Sequence, residues 1–154
     1  EDKMYVSKKH VKSAWISRAK PICKNNKPWG FEYSWAGFDG IHGKTLFIKK
    51  GHRTSFKFHM LKSEVLFLRT GKAEVLFGDE LSLEDPVGHP MTIVNLNPGD
   101  SLMVQSGCPY RIKAIEDCEI NEIGNNLSDK PVRLEDDYGR YCDAIKNRKN
   151  NNEK

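Results

Sequence analysis

The stretch from Gly51 to Gly71 holds the residue types of this 154-residue chain that could do chemistry together. Lys57 and His59 are separated by a single residue, and Glu64 follows shortly after them. Alternate side chains of a β-strand share a face, so we expect Lys57 and His59 to lie side by side within reach of Glu64 on the next strand. An imidazole and a carboxylate can bind a metal or move a proton. His59, Glu64 and Lys57 are therefore the candidate catalytic residues.

A divalent metal ion is one use for this group. Tyr110 is predicted to face it from another strand, so the candidate metal ligands are His59, Glu64 and Tyr110. Zinc, manganese, iron or nickel would suit such donors. Lys57 argues against a metal, because an ammonium has no lone pair to donate. A salt bridge between Lys57 and Glu64 in place of the ion, or a hydrogen-bonded interior His59 without a metal, are the alternatives.

The positive side chains around the same stretch predict a second use, the binding of a small anion. Arginine binds phosphate or carboxylate with two hydrogen bonds, and lysine adds a mobile charge. The candidate substrate-binding residues are Arg53, Ser55, Lys44, Tyr110 and Arg140. Lys62 is expected in a hairpin turn and Arg111 on an outward face. The spacing of His42 and of the other histidines indicates no site.

Short segments of alternating or apolar residues, separated by Gly, Pro, Asn and Asp, predict antiparallel strands through the middle of the chain. The predicted strands are Phe31–Trp35, Thr45–Lys49, Ser55–His59, Glu64–Thr70, Lys72–Phe77, Met91–Leu96, Ser101–Val104, Tyr110–Ala114 and Cys118–Ile123. These strands indicate an all-β jelly-roll barrel. We expect an N-terminal arm at residues 1–26, one domain at 27–140, and a short C-terminal helix with a charged tail at 141–154.

Composition limits the partners. The net charge of +4 is modest, and the basic runs lie near the two ends, where solvated tails are common. Neither a basic stripe interleaved with aromatics nor an apolar run of membrane-spanning length occurs, so we expect no nucleic acid and no membrane as partner. The four cysteines are scattered without a C-x-x-C pair, which favours reduced thiols in a cytoplasmic protein.

The spacing from Gly51 through His59 and Glu64 to Gly71 resembles the first metal-binding motif of cupins. Two flanking phrases, Lys27-Pro28-Trp29-Gly30 and Val132-Arg133-Leu134-Glu135-Asp136-Asp137-Tyr138-Gly139-Arg140, narrow the resemblance to the cupin domain of type II mannose-6-phosphate isomerases, over residues 27–140. The resemblance implies a cupin-type jelly roll (a double-stranded β-helix), metal-dependent interconversion of mannose 6-phosphate and fructose 6-phosphate, and a homodimer.

Position by position, the resemblance assigns His59 and Glu64 as metal ligands. Lys57 stands where that family has glutamine, Tyr110 where it has histidine, and Lys62 where it has arginine. Two positions that bind the metal in cupins are therefore replaced: the first histidine of the motif by Lys57, and the downstream histidine by Tyr110.

Three functions follow as alternatives, and whether the protein is an enzyme stays open between them. The first is a small cupin of sugar-phosphate or polysaccharide-precursor metabolism, a candidate sugar-phosphate isomerase that uses His59 and Glu64. The second is a non-catalytic cupin that binds a small anionic sugar or sugar phosphate in the barrel. The third is a metal-dependent cupin of another reaction class, a lyase or a dioxygenase.

Overall fold

The computed structural model describes residues 12–18, 24–125 and 129–140 of the chain. Within these ranges the structure is all β, and no helix long and apolar enough to cross a membrane is present. The strands are β1 (Lys24–Lys27), β2 (Gly30–Phe38), β3 (Ile41–Ile48), β4 (Phe56–Phe58), β5 (Glu64–Thr70), β6 (Ala73–Phe77), β7 (Thr92–Leu96), β8 (Ser101–Val104), β9 (Tyr110–Ala114), β10 (Cys118–Asn125) and β11 (Val132–Glu135).

Two antiparallel sheets face each other. One has the order β1-β2-β3-β10-β5-β8, and the other has the order β11-β4-β9-β6-β7. Neighbours in space are distant in sequence, as in the pairing of β10 with both β3 and β5. This arrangement is the jelly-roll barrel predicted from the sequence.

The core lies between the two sheets and follows the two-residue period of the strands. In β3, Leu46 and Ile48 are buried, and in β5 Leu66 is buried. Val75 and Ile112 are buried in the opposite sheet. Because alternate residues share a face, the polar residues in phase with this core, nearer one end of the strands, also point inward.

All of the predicted strands are present, with ends shifted by a few residues, and the predicted all-β fold is confirmed. Two strands were missed, because β1 and β11 are short and polar and become strands only by pairing with β2 and β4. Strand β1 includes residues 24–26, which the sequence analysis assigned to the arm. The predicted C-terminal helix and tail at 141–154 lie outside the described residues, as do residues 1–11 and 19–23 of the arm.

The glycine that closes the motif has a backbone reason. Gly71 adopts a φ of +92°, a left-handed conformation that favours glycine. A Cβ there would collide with the backbone carbonyl oxygen of Asp117. Gly51 also has a positive φ, of +80°, but the space around its missing Cβ is open within 4 Å. The two ends of the motif thus tolerate a side chain differently.

Gly71→Ala is expected to destabilise the fold by at least about 2 kcal/mol, because left-handed strain and the clash with Asp117 add. Gly51→Ala is the matched control, and strain alone should cost it about 1 kcal/mol. Urea unfolding followed by tryptophan fluorescence measures both. Equal losses in the two variants would contradict the predicted contact.

Candidate functional site

A cavity of about 230 Å³ opens at one end of the barrel, between the two sheets. Its walls are mostly polar and charged, in contrast to the apolar core below. The lining residues are Lys27, Trp29, Glu32, Ser34, His42, Lys44, Leu46, Ser55, Lys57, His59, Lys62, Glu64, Glu122, Asp129, Lys130, Pro131, Arg133 and Arg140. Their concentration here makes the cavity the candidate functional site.

The buried carboxylate of Glu64 is the hub of this cavity. Its Oε1 lies 2.8 Å from Lys62 Nζ and 3.1 Å from His59 Nε2. Its Oε2 accepts a hydrogen bond of 2.5 Å from the Tyr110 hydroxyl. Burial would raise the pKa of Glu64, but the hydrogen bond from His59 and the charges of Lys62 and Lys57 outweigh burial and lower it. Glu64 is therefore an anion that three neighbours hold in place.

A second buried carboxylate, Glu122 on β10, lies next to the first. Its Oε2 is 3.6 Å from both Lys44 Nζ and Lys62 Nζ, and 3.8 Å from His42 Nδ1. These distances are longer than hydrogen bonds, and Glu122 Oε2 has no hydrogen-bond partner among the described residues. Burial and the nearby charge of Glu64 raise the pKa of Glu122.

The three interior lysines differ in their partners. Lys44 pairs with Glu32 at 3.2 Å as well as with Glu122, and although burial opposes its charge, these carboxylates raise its pKa. Lys62 pairs with Glu64. Lys57 forms no ion pair within the described part of the chain, and its Nζ lies 5.6 Å from the centre of the Tyr110 ring. Burial lowers the pKa of Lys57 despite the attraction of Glu64.

The ammonium that pairs with Glu64 therefore belongs to Lys62, and the predicted salt bridge from Lys57 is wrong. Lys57 pairs in register with Tyr110 on β9 and lies over its ring. Lys62 was expected in an exposed turn. Instead, Asp129 accepts hydrogen bonds from the backbone N–H groups of Leu61 and Lys62, and the Lys62 side chain is buried.

The cavity contains most, but not all, of the predicted substrate-binding residues. Ser55, Lys44 and Arg140 line it. Tyr110 lies buried behind Glu64 and does not line it. Arg53 also does not line it: its guanidinium makes two hydrogen bonds, of 2.6 Å and 2.7 Å, with Asp137.

The reason for the position of Arg53 is local. Strand β4 spans only Phe56–Phe58, so the strand alternation does not extend back to residue 53. Arg111, expected on an outward face, is buried instead, and it donates to the Thr54 carbonyl oxygen at 2.8 Å. Its guanidinium also lies 3.4 Å from Asp137.

Two residues of the cavity, His42 and Glu122, were missed by the sequence analysis. Both are 3% exposed. A signal existed: His42 is in phase with buried Leu46 on β3, and Glu122 is in phase with buried Ile120 on β10. A polar residue in phase with a buried strand face predicts an interior polar group, but the alternation does not show which groups meet.

The metal expected from the resemblance does not fit the residues present. Both oxygens of Glu64 and the Nε2 of His59 are engaged with one another, with Lys62 or with Tyr110. In residues 12–18, 24–125 and 129–140, no group of three His, Cys, Asp or Glu side chains is arranged to hold a metal ion. An ammonium takes up the charge that a metal would neutralise.

A second groove, of about 310 Å³, lies between residues 13–17 and strand β2. Its lining includes Trp15, Trp35 and Phe38, and it has no titratable side chain. Trp15 and Phe38 meet edge to face, with ring centres 5.3 Å apart. The groove therefore offers packing surface and no chemistry.

No protein-family model matches the chain, and no curated protein matches it. Solved structures do. Oxalate decarboxylase from Bacillus subtilis superposes with a TM-score of 0.62 and 16% identity over 83% of this chain and 34% of its own length. KdgF from Halomonas sp. superposes with a TM-score of 0.55 and 14% identity over 66% of this chain and 85% of its own.

The DMSP lyase DddQ from Ruegeria pomeroyi DSS-3 is a third match, with a TM-score of 0.53 and 22% identity over 67% of this chain and 50% of its own. The chain thus spans about a third of the decarboxylase and half of the lyase. These similarities establish a cupin-type fold. At such identities they show the fold alone.

His42 should make the protein acid-sensitive. Burial, followed by the charges of Lys62 and Lys44, lowers the pKa of His42 from 6.5 to about 4. A group whose pKa is lower in the folded state binds protons preferentially when unfolded, so its contribution to stability is complete above pH 6.5 and is lost as the pH falls toward 4. The loss is of the order of 3 kcal/mol. His42→Gln should remove this part of the pH dependence.

Urea unfolding at several pH values between 4 and 7.5 measures this effect as the difference between wild type and His42→Gln. The difference isolates His42, because Glu122, Lys44, Lys62 and Glu64 surround the site in both proteins. His52→Gln is the control, since His52 lies outside the cavity. A difference curve that is flat over this range would refute the assignment.

Proposed function

We propose that the protein is a small cupin that binds a small anionic sugar or sugar phosphate in the cavity, without a metal ion. One observation carries the proposal: basic side chains outnumber acidic ones in the lining. The basic residues are Lys27, Lys44, Lys57, Lys62, Lys130, Arg133 and Arg140, and the acidic residues are Glu32, Glu64, Glu122 and Asp129.

The excess charge supports an anionic ligand because the carboxylates are already matched. Glu64 pairs with Lys62, and Glu32 pairs with Lys27 at 3.6 Å as well as with Lys44. Lys57 remains as an interior ammonium without a carboxylate partner among the described residues. A phosphate or carboxylate would supply the missing negative charge, and low local polarity would strengthen that attraction.

The remaining polar groups suit a sugar. Ser55 and His42 offer hydrogen-bonding groups in the same cavity, and His42 Nε2 has no hydrogen-bond partner among the described residues. Sugar hydroxyls both donate and accept, so they can pair with such groups. The resemblance of the flanking phrases to the isomerases points to the same ligand class, a hexose phosphate.

Isothermal titration should detect binding of mannose 6-phosphate or fructose 6-phosphate, and weaker binding of the neutral hexoses. Lys57→Met removes one interior charge without leaving a carboxylate unpaired, so affinity for the phosphate ester should fall at least about tenfold. Raising the salt concentration should weaken binding further.

Lys72→Met is the matched control, because the Lys72 side chain is 59% exposed and pairs with Glu116. It should bind like wild type. If no anionic sugar binds at millimolar concentration, or if Lys57→Met binds as tightly as wild type, the proposed ligand class is wrong.

Aldose–ketose isomerisation is the second candidate function. The observation in its favour is the buried pair of His59 and Glu64 beside Lys62. Isomerisation removes the proton on C2, returns a proton to C1 and moves one hydroxyl proton from O2 to O1. A histidine or carboxylate can carry these protons, and an ammonium can polarise the carbonyl. Lys62 would then supply the positive charge near the carbonyl.

Proton NMR of mannose 6-phosphate in deuterated water tests this second function. Turnover should appear as fructose 6-phosphate with loss of the C2 proton signal, and His59→Gln should abolish turnover while binding persists. Binding without turnover in wild type would leave the protein as a non-catalytic binding module. The third alternative, a metal-dependent lyase or dioxygenase, has no support from the residues in the cavity.

Self-association stays a proposal with a surface to which it applies. Ile123, Val65 and Met103 are paired in register across β10, β5 and β8, and Ile123 and Met103 are 50% and 75% exposed. Phe67 lies on the same face and is also exposed. A second copy covering this apolar row would give the expected homodimer.

A further inference from the structure

The ammonium of Lys62 lies between two buried carboxylates. Its Nζ is 2.8 Å from Glu64 Oε1 and 3.6 Å from Glu122 Oε2. Glu64 and Glu122 lie on adjacent strands of one sheet, and each is less than 5% exposed. Two carboxylates this close and this buried require a cation between them.

Two buried imidazoles adjoin the same carboxylates. His59 Nε2 is 3.1 Å from Glu64 Oε1, and His42 Nδ1 is 3.8 Å from Glu122 Oε2. His42 Nε2 and His59 Nδ1 have no hydrogen-bond partner within the described ranges. Each imidazole therefore keeps a ring nitrogen that no neighbour satisfies.

A glycine gives this cluster its room. Gly124 on β10 pairs in register with His42 on one side and with Glu64 on the other. A Cβ at Gly124 would collide with His42 Nε2 and would lie 3.0 Å from Lys62 Cε. The His42 ring and the end of the Lys62 side chain thus converge on one small space.

We propose that the Lys62 ammonium is a built-in cation in a latent metal site formed by His42, His59, Glu64 and Glu122. Two imidazoles and two carboxylates are a donor set that zinc accepts in four-coordinate geometry. The ammonium occupies the centre, repels a second cation and holds both carboxylates, so the wild-type chain does not take the metal. Removing the ammonium leaves two buried carboxylates with an unmatched charge that a divalent ion neutralises.

This site differs from the one expected from the sequence. Tyr110 was a candidate ligand there, whereas its hydroxyl here hydrogen-bonds the outer oxygen of Glu64. His42 and Glu122 come from β3 and β10, outside the motif. The inference does not depend on which sugar binds, so its failure and that of the proposed function are separate.

The test is zinc binding to Lys62→Ala, measured by isothermal titration after removal of metals with a chelator. The variant should bind one zinc ion per chain, at least about tenfold more tightly than wild type. Its thermal unfolding temperature should rise on zinc addition. Cobalt(II) bound in place of zinc should give the visible absorption of a four-coordinate site with nitrogen and oxygen donors.

Two controls identify the site. Lys57→Ala removes another cavity lysine, one that bridges no carboxylates, and should bind zinc as weakly as wild type. Adding His42→Ala to Lys62→Ala should abolish the gain, because the proposed donor set then loses a ligand. A folded Lys62→Ala that gains no zinc affinity, or whose gain survives His42→Ala, would overturn the proposal.

Lys62→Met covers the case in which the alanine variant does not fold, since it keeps the apolar stem and removes only the charge. The wild-type titration is independent of both variants. One tightly bound zinc ion per wild-type chain would overturn the proposal, and zinc binding too weak to shift the unfolding temperature of wild type would support it.

Discussion

The charge of the buried Glu64 carboxylate is the constraint on which the cavity depends. A carboxylate at 4% exposure is costly unless it is paired and hydrogen-bonded. Lys62, His59 and Tyr110 approach it from the β4–β5 connection, the end of β4 and β9, respectively. Each contact fixes one wall of the cavity relative to the others, so neutralising one charge also orders the site.

The closing phrase of the sequence has a structural role that its resemblance to the isomerases does not reveal. Asp137 binds Arg53 and lies near Arg111, while Asp136 binds Arg140 at 2.8 Å. These ion pairs attach β11 to the edge strand β4 of the five-stranded sheet. The phrase therefore supports the fold and closes the barrel beside the cavity. Its presence alone does not indicate that catalysis is retained.

The interior lysines explain how one fold can keep its cavity while its chemistry changes. A metal ion binds imidazole and carboxylate donors and polarises a substrate, whereas an ammonium satisfies the carboxylates and binds an anion through charge. In this chain Lys62 takes the carboxylates and Lys57 remains for a ligand. The arrangement favours recognition of an anionic sugar over metal chemistry, and it makes the two functions separable by experiment.

The sequence by itself determined the strands, the barrel and the region of the site. Strand alternation and turn residues are local properties, and the spacing of His59 and Glu64 lies within one hairpin, so no distant contact was needed to predict them. Sequence alone also gave Lys44, Ser55 and Arg140 as residues of the cavity region.

Only the tertiary structure decided which charges meet. Lys62 rather than Lys57 pairs with Glu64, Arg53 turns away to Asp137, and His42 and Glu122 join from β3 and β10. Long flexible side chains can reach several partners, and strands distant in sequence become neighbours only when the sheet forms. The balance between burial and pairing, which decides whether a metal or a lysine neutralises the carboxylates, exists only in that assembled space.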